Sequence, residues 1–260
     1  TIDVYNCLNI CKNNRCITLG IVNNVDSLIA REVDCGVYLN AGSEISVAST
    51  KSFTSMLIVL SLIEMWFNND YFNNNKKINC LRSLSNSLYS FLYNFEFLQS
   101  LEYVKNFICN NYISSIFILG KNKLYPVACE GSLKIKEVTY IHCESFSAGS
   151  LKHGPFALLD YNNLTILLID YNDKNNYNNL KSTYYEITGR ETNIIVITNS
   201  LNVINELNIN INNYIIIPKL DYYNEIIFTV TLQYLAYNIS IAKKINPDKP
   251  RNLAKVVTVE

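Results

Sequence analysis

Histidine, tryptophan and methionine are scarce in this chain: two His, one Trp and two Met in 260 residues. His142 and His153 are the only imidazoles, and Cys7, Cys11, Cys16, Cys35, Cys80, Cys109, Cys129 and Cys143 are scattered without a CxxC pair. No metal cluster is expected from such a set, and no cofactor. The same scatter gives no disulfide framework, so the cysteines read as reduced thiols of a cytoplasmic protein. An excess of charge is missing too: Lys+Arg and Asp+Glu are both 22, with a pI near 6.7. That excludes a global field able to collect nucleic acid or an anionic membrane, and leaves any phosphate to a local site. Long apolar runs are also lacking. The best membrane candidate, residues 226–242, is uncharged but holds Thr229, Thr231, Gln233, Asn238 and Ser240. It falls short of the ~20 apolar residues of a span, and a buried amphipathic helix is expected instead. The chain opens on Thr1 with no basic-then-apolar leader, which reads as a fragment of something longer without a signal peptide.

What is present is ordinary globular material, 49% hydrophobic and 17% charged, enough for one large core or two smaller ones. Asn-rich tracts at residues 68–77, 172–179 and 202–213 offer little apolar area and read as loops or exposed helix faces.

Residues 17–22 and 35–39 are short β-branched runs of strand length, followed by helical spacing over 49–66. The same order returns late in the chain, with strands at 193–198 and 214–217 and a helix over 221–242, which suggests an internal duplication. Between the copies, residues 81–93 and 95–110 read as connecting helices. They are followed by a strand at 115–119, a helix at 126–142, a strand at 165–169 and a helix at 175–190. Continuously apolar strands alternating with helices imply an α/β fold, with parallel sheets covered on both faces. The expected organisation is a partial first domain over 1–75, a helical connector over 76–106, a second domain over 107–250 and a tail over 251–260. In such sheets ligands bind beyond the carboxyl ends of strands, at helix N-termini.

Four segments there could carry chemistry. Residues 44–54, EISVASTKSFT, gather hydroxyls and free N–H groups at the opening of a long helix, although capping by Ser49 or Thr50 explains them as simply. In the helix over 126–142, Glu130, Lys134 and Glu137 stand four and three residues apart, a lysine flanked by two carboxylates on one face. Such a glutamate could shuttle a proton between adjacent sugar carbons if partly desolvated, whereas a solvated salt-bridge ladder is the commoner meaning of that spacing. Residues 144–155 read as a turn-rich loop presenting His153, whose ordinary pKa is the nearest to neutrality. Beyond Pro247 and Pro250 the tail is too short to fold alone. It must fray, or fold back over a pocket in the second unit and bring Lys255 as an amine able to form a Schiff base with a ketose carbonyl.

The stretches EISVASTKSFT, YPVACEGSLKIKEVTYIHCESFSAGSLKHGP and PRNLAKVVTVE resemble, in this order, signature stretches of the isomerase half of the glucosamine-6-phosphate synthase family. The resemblance implies two sugar-isomerase (SIS) domains of doubly wound, flavodoxin-like or Rossmann-like build, the first incomplete here, with a closing C-terminal tail. It implies conversion of fructose 6-phosphate and glutamine-derived ammonia into glucosamine 6-phosphate. By that match Lys255 is the Schiff-base lysine, Glu137 moves a proton between C1 and C2, His153 assists ring opening from a neighbouring subunit, and Lys134 supports the sugar hydroxyls or the glutamate. Val47, Ser49 and Ala254 line the substrate, Glu44 sits near its reacting end, and Thr1 is the last residue of a phosphate loop. A homodimer and a glutaminase domain in the same parent chain are implied as partners, and the fragment alone is expected to be weakly active. A stand-alone aldose–ketose isomerase or amino-sugar deaminase, or a non-catalytic sugar-phosphate sensor, remain the alternatives.

Overall fold

The computed structural model describes residues 2–255; Thr1 lies outside the described residues. Two compact units divide the chain, Thr1–Tyr71 with Asp248–Glu260, and Phe72–Pro247.

The first unit holds α1 (Ile2–Asn13), β1 (Leu19–Val22), α2 (Leu28–Glu32), β2 (Cys35–Tyr38) and α3 (Lys51–Phe67). β1 and β2 pair in parallel, from Leu19 opposite Cys35 to Val22 opposite Tyr38. Asp34 fixes this register: its Oδ2 accepts from the Thr18 N–H at 2.8 Å and the Thr18 hydroxyl at 2.7 Å. At the other end of β1, Asn23 holds the turn that follows β2. Its Oδ1 accepts from Ala41 N–H at 3.0 Å and its Nδ2 donates to the Gly42 carbonyl at 2.7 Å. Gly42 has φ of 69°, a conformation that a side chain would strain.

The second unit begins within α4 (Tyr71–Leu92) and continues with α5 (Phe95–Asn110), β3 (Ser115–Gly120), α6 (Leu124–Thr139) and β4 (His142–Ser147). After two 3₁₀ turns come β5 (Asn163–Ile169), α7 (Lys174–Thr188), β6 (Asn193–Thr198), α8 (Leu201–Leu207), β7 (Tyr214–Ile216) and α9 (Asn224–Ala242). The five strands form one parallel sheet in the order β4-β3-β5-β6-β7, a doubly wound α/β fold. Every residue of β5 is buried, Asn163 and Thr165 included, which explains why its apolar run over residues 166–169 does not alternate with polar residues. Phe117, Leu119, Leu167, Ile169 and Val196 point to one face and pack with Tyr177, Leu180, Tyr184 and Ile187 of α7 and with Val203, Ile204 and Leu207 of α8. The alternate residues Ile116, Ile118, Ile166, Leu168 and Ile197 are fully buried as well, on the face that α6 covers. Each such side chain contributes about 1.5–3 kcal/mol by leaving water.

Several expectations need correction. The helix expected over 126–142 ends at Thr139, because Tyr140 turns left-handed with φ of 60° and frees the chain to enter β4. Residues 144–147, expected in a loop, continue that strand. It is an edge strand, paired on one side only, and has no need of an apolar run. The Asn-rich tracts lie partly on the exposed faces of α4, α7 and α8, one of the two expected settings, whereas α1 and α2 have no counterpart among the expected elements. Among the described residues no helix is long and apolar enough to cross a membrane.

Candidate active site

Glu44 is the organising residue of the first unit. After the Ala41–Gly42 turn it reaches forward to the opening of α3 and accepts the Thr50 N–H at 2.8 Å, the Ser52 N–H at 3.4 Å and the Ser52 hydroxyl at 2.5 Å. Ser49 and Ser52 share a hydroxyl–hydroxyl hydrogen bond of 2.6 Å. The expected cap from Ser49 or Thr50 is therefore replaced. Thr50 makes no side-chain capping bond, and a carboxylate from six residues upstream satisfies the free N–H groups and meets the positive end of the helix dipole. Burial acts to raise the Glu44 pKa, but the hydrogen bonds from Ser52 and Thr50 and the charge of Lys255 outweigh it and hold the group at about 2. Glu44 is thus an anion at neutral pH and a poor base. It also occupies the N-terminal position that an external anion would take.

The described start of the tail is bonded within this same unit, and residues 256–260 lie outside the described residues. Val47 N–H donates to the Asp248 carbonyl at 3.1 Å. Lys255 donates to the Ser46 carbonyl at 2.6 Å and to Glu44 Oε2 at 3.3 Å. The lysine side chain remains 40% exposed while Glu44 is 9% exposed, so the amine is anchored yet reachable. Ala254 precedes it on exposed irregular chain. Glu44, Val47, Ser49, Ala254 and Lys255 are therefore drawn into one neighbourhood by bonds or by chain adjacency. Ser52, which binds the carboxylate most closely, was missed. Its only sequence signal is its place two residues after the expected cap.

In the second unit α6 carries the other group. Lys134 Nζ lies 2.7 Å from Glu137 Oε2 and 3.6 Å from Glu130 Oε1. These are ion pairs by distance, and neither oxygen has a well-aligned hydrogen-bond donor. Lys134 and Glu130 are buried and Glu137 is half-buried, so the set is not the solvated surface ladder its spacing commonly means. Burial pushes the Glu130 carboxyl above its ordinary range, with Glu137 adding to the effect, while Lys134 and the Gln233 amide oppose them. The α6 helix is positioned by Gly120 at the end of β3. A Cβ there would overlap the Leu124 carbonyl, so only glycine allows this tight entry.

His153 ends the 3₁₀ turn Ala148–His153 beyond β4, followed by Gly154 with φ of 143°. It is exposed, and among the described residues no hydrogen bond or ion pair joins it to the α6 set. A cavity of about 1090 Å³ lies elsewhere in this unit, lined in part by Phe91, Phe97, Tyr103, Tyr214 and Ile216, and includes none of these residues. No group of three His, Cys, Asp or Glu suited to a metal occurs among the described residues.

The comparisons with known proteins agree with this architecture. The SIS domain matches residues 1–64 and 113–243, parts of both units. The chain is 42% identical over 272 residues to a protein of Acanthamoeba polyphaga mimivirus, named a probable glutamine–fructose-6-phosphate aminotransferase (isomerizing); the match covers all of this chain and 42% of that protein. It is 36% identical over 267 residues to the glutamine–fructose-6-phosphate aminotransferase (isomerizing) of Encephalitozoon cuniculi, covering all of this chain and 37% of that protein. The chain thus spans about two fifths of the length of these relatives. The solved C-terminal domain of glucosamine-fructose-6-phosphate aminotransferase from Francisella tularensis superposes with a TM-score of 0.83 at 28% identity, over 96% of this chain and 70% of that one. With a match that reaches both units and relatives aligned along the whole sequence, the chain belongs to the SIS-domain family.

Proposed function

We propose that this chain is the isomerase part of an amidotransferase that makes glucosamine 6-phosphate from fructose 6-phosphate and glutamine-derived ammonia, working in the cytoplasm as a homodimer beside a glutaminase domain of the same parent chain. The observation that carries the reading is the Lys255 amine, fixed by Ser46 and Glu44 and still open to a ligand. In this reading the Lys255 nitrogen bonds to C2 of the open-chain ketose and water leaves; ammonia then displaces the lysine, and the C2 imine remains. Glu137 takes the proton from C1 and returns it at C2, which converts the 2-imino ketose into the 2-amino aldose. Lys134 steadies the carboxylate between these transfers. Glu44, ionised throughout, orients the amine and is not the base. His153 is exposed, as a residue that opens the sugar ring in a neighbouring subunit would need to be. Val47, Ser49 and Ala254 line the sugar, and Thr1 would close a phosphate loop supplied by preceding residues.

The test uses the chain joined to the preceding segment of its longer relatives. Fructose 6-phosphate and borohydride should label the wild type and leave Lys255→Ala unlabelled; equal labelling of the two overturns the lysine's role. Glu137→Gln should retain sugar binding and lose solvent-proton exchange at C1 and C2, and undiminished exchange removes Glu137 from the mechanism.

A further inference from the structure

Gln233 stands in the middle of α9, within residues 226–242, a stretch without a charged residue. Its Nε2 is buried and has no aligned hydrogen-bond acceptor, a costly place for an amide unless it serves a neighbour. The neighbour is set by how α6 and α9 meet. At Gly131 a Cβ would stand 2.5 Å from Leu232 Cδ1, so the helices touch where α6 has no side chain. Glu130 adjoins that glycine and Gln233 adjoins that leucine, and the amide comes close enough to favour the charged form of Glu130.

We propose that Gln233 is a positioning residue for Glu130, Lys134 and Glu137 of α6, its amide turned toward Glu130 so that the charged carboxylate is favoured and can share the Lys134 ammonium with Glu137. The claim rests on the reading of Glu137 as the proton carrier. Three ionisable side chains act on one another here, all from α6, and the facing part of α9 contributes an amide and no charge. With Glu130 ionised, Lys134 is divided between carboxylates at 3.6 and 2.7 Å. If Glu130 takes up a proton, the ammonium belongs to Glu137 alone, and a carboxylate paired with an undivided cation is a weaker base. Gln233 therefore acts on the proton transfer through Glu130 without touching substrate.

The test has two arms. In protein labelled with ¹³C at glutamate carboxyls, the Glu130 signal is assigned by its loss in Glu130→Gln and followed through a pH titration. Gln233→Leu should raise the Glu130 midpoint by on the order of one pH unit, a tenfold change in proton affinity; Gln233→Met serves if the leucine variant does not fold. An unmoved midpoint in a folded variant overturns the proposal, even where its melting temperature falls. The second arm measures turnover of fructose 6-phosphate in the full-length chain. There Gln233→Leu should lower kcat, approaching tenfold below the Glu130 midpoint found in the titration, with KM unchanged, and should add nothing in a Glu130→Gln background. A further loss in that background overturns the proposal. A wild type without turnover removes the functional reading alone, because the titration still decides the role of Gln233.

Discussion

Lys134, with a side chain only 4% exposed, stays in the interior because two carboxylates share it. Removing one member of a buried ion pair leaves its partner uncompensated at a cost of about 3–5 kcal/mol. Lys134→Met should therefore destabilise the second unit by about 3 kcal/mol at neutral pH. The loss should shrink on acidification. Glu130 already titrates above its ordinary value of 4.5, and Lys134 is one of the groups pulling it down. Without the lysine its folded pKa rises further, so the penalty is fully present above that pKa and is relieved as pH falls through it toward 4.5. Urea unfolding of wild type and variant at pH 7.5 and pH 5 checks this, and an equal loss at both values would mean the charge is not what the lysine balances. The spacing of Glu130, Lys134 and Glu137 was legible in the sequence, but their burial was not. Periodicity says that three side chains share a helix face. Packing of α6 against α9, closest at Gly131, helps decide whether that face meets water, and in the sequence Gln233 is merely a polar interruption in an apolar stretch.

At the level of elements, α3 depends on a cap that no local pattern announces. Ser and Thr stand where caps usually stand, yet Glu44 supplies the acceptor from across a turn held by Asn23. Glu44→Gln keeps the size and loses the charge, and should weaken the start of α3 by about 1 kcal/mol. The pH dependence has a definite sign. The folded pKa is depressed from 4.5 to about 2, so the carboxylate's contribution is complete above pH 4.5 and disappears as pH falls toward 2. Melting curves of wild type and variant should differ at pH 7 and converge at the acid end, and a constant gap would assign the cap to packing. Where an element's signature is local, the sequence reading was close. β3, β5 and β6 are buried on both faces and announce themselves as apolar runs. The polar edge strand β4 and the Asn-rich α8 do not, because pairing to β3 forms one and packing of Val203, Ile204 and Leu207 forms the other.

Across the whole molecule, the two units differ in how much sheet each contains. The second has five parallel strands with a core on both faces, whereas among the described residues the first has two, and β2 has no buried residue. Two paired strands are marginal by themselves, and in the first unit the burial that exists comes from single residues such as Leu8, Ala48, Val59 and Met65. Local opening should therefore release β1 and β2 long before the second sheet unfolds. Hydrogen exchange read by mass spectrometry should find the amides of β5 and β6 roughly a hundredfold or more slower than those of β1 and β2, because the former exchange only through global unfolding and the latter through local opening. Equal protection in the two sheets would show that the first unit unfolds as one cooperative body with the second. In that case the hydrogen bonds that hold Lys255 to Glu44 and Ser46 would be as durable as the main core, and the amine's site would need no further ordering when a ligand arrives.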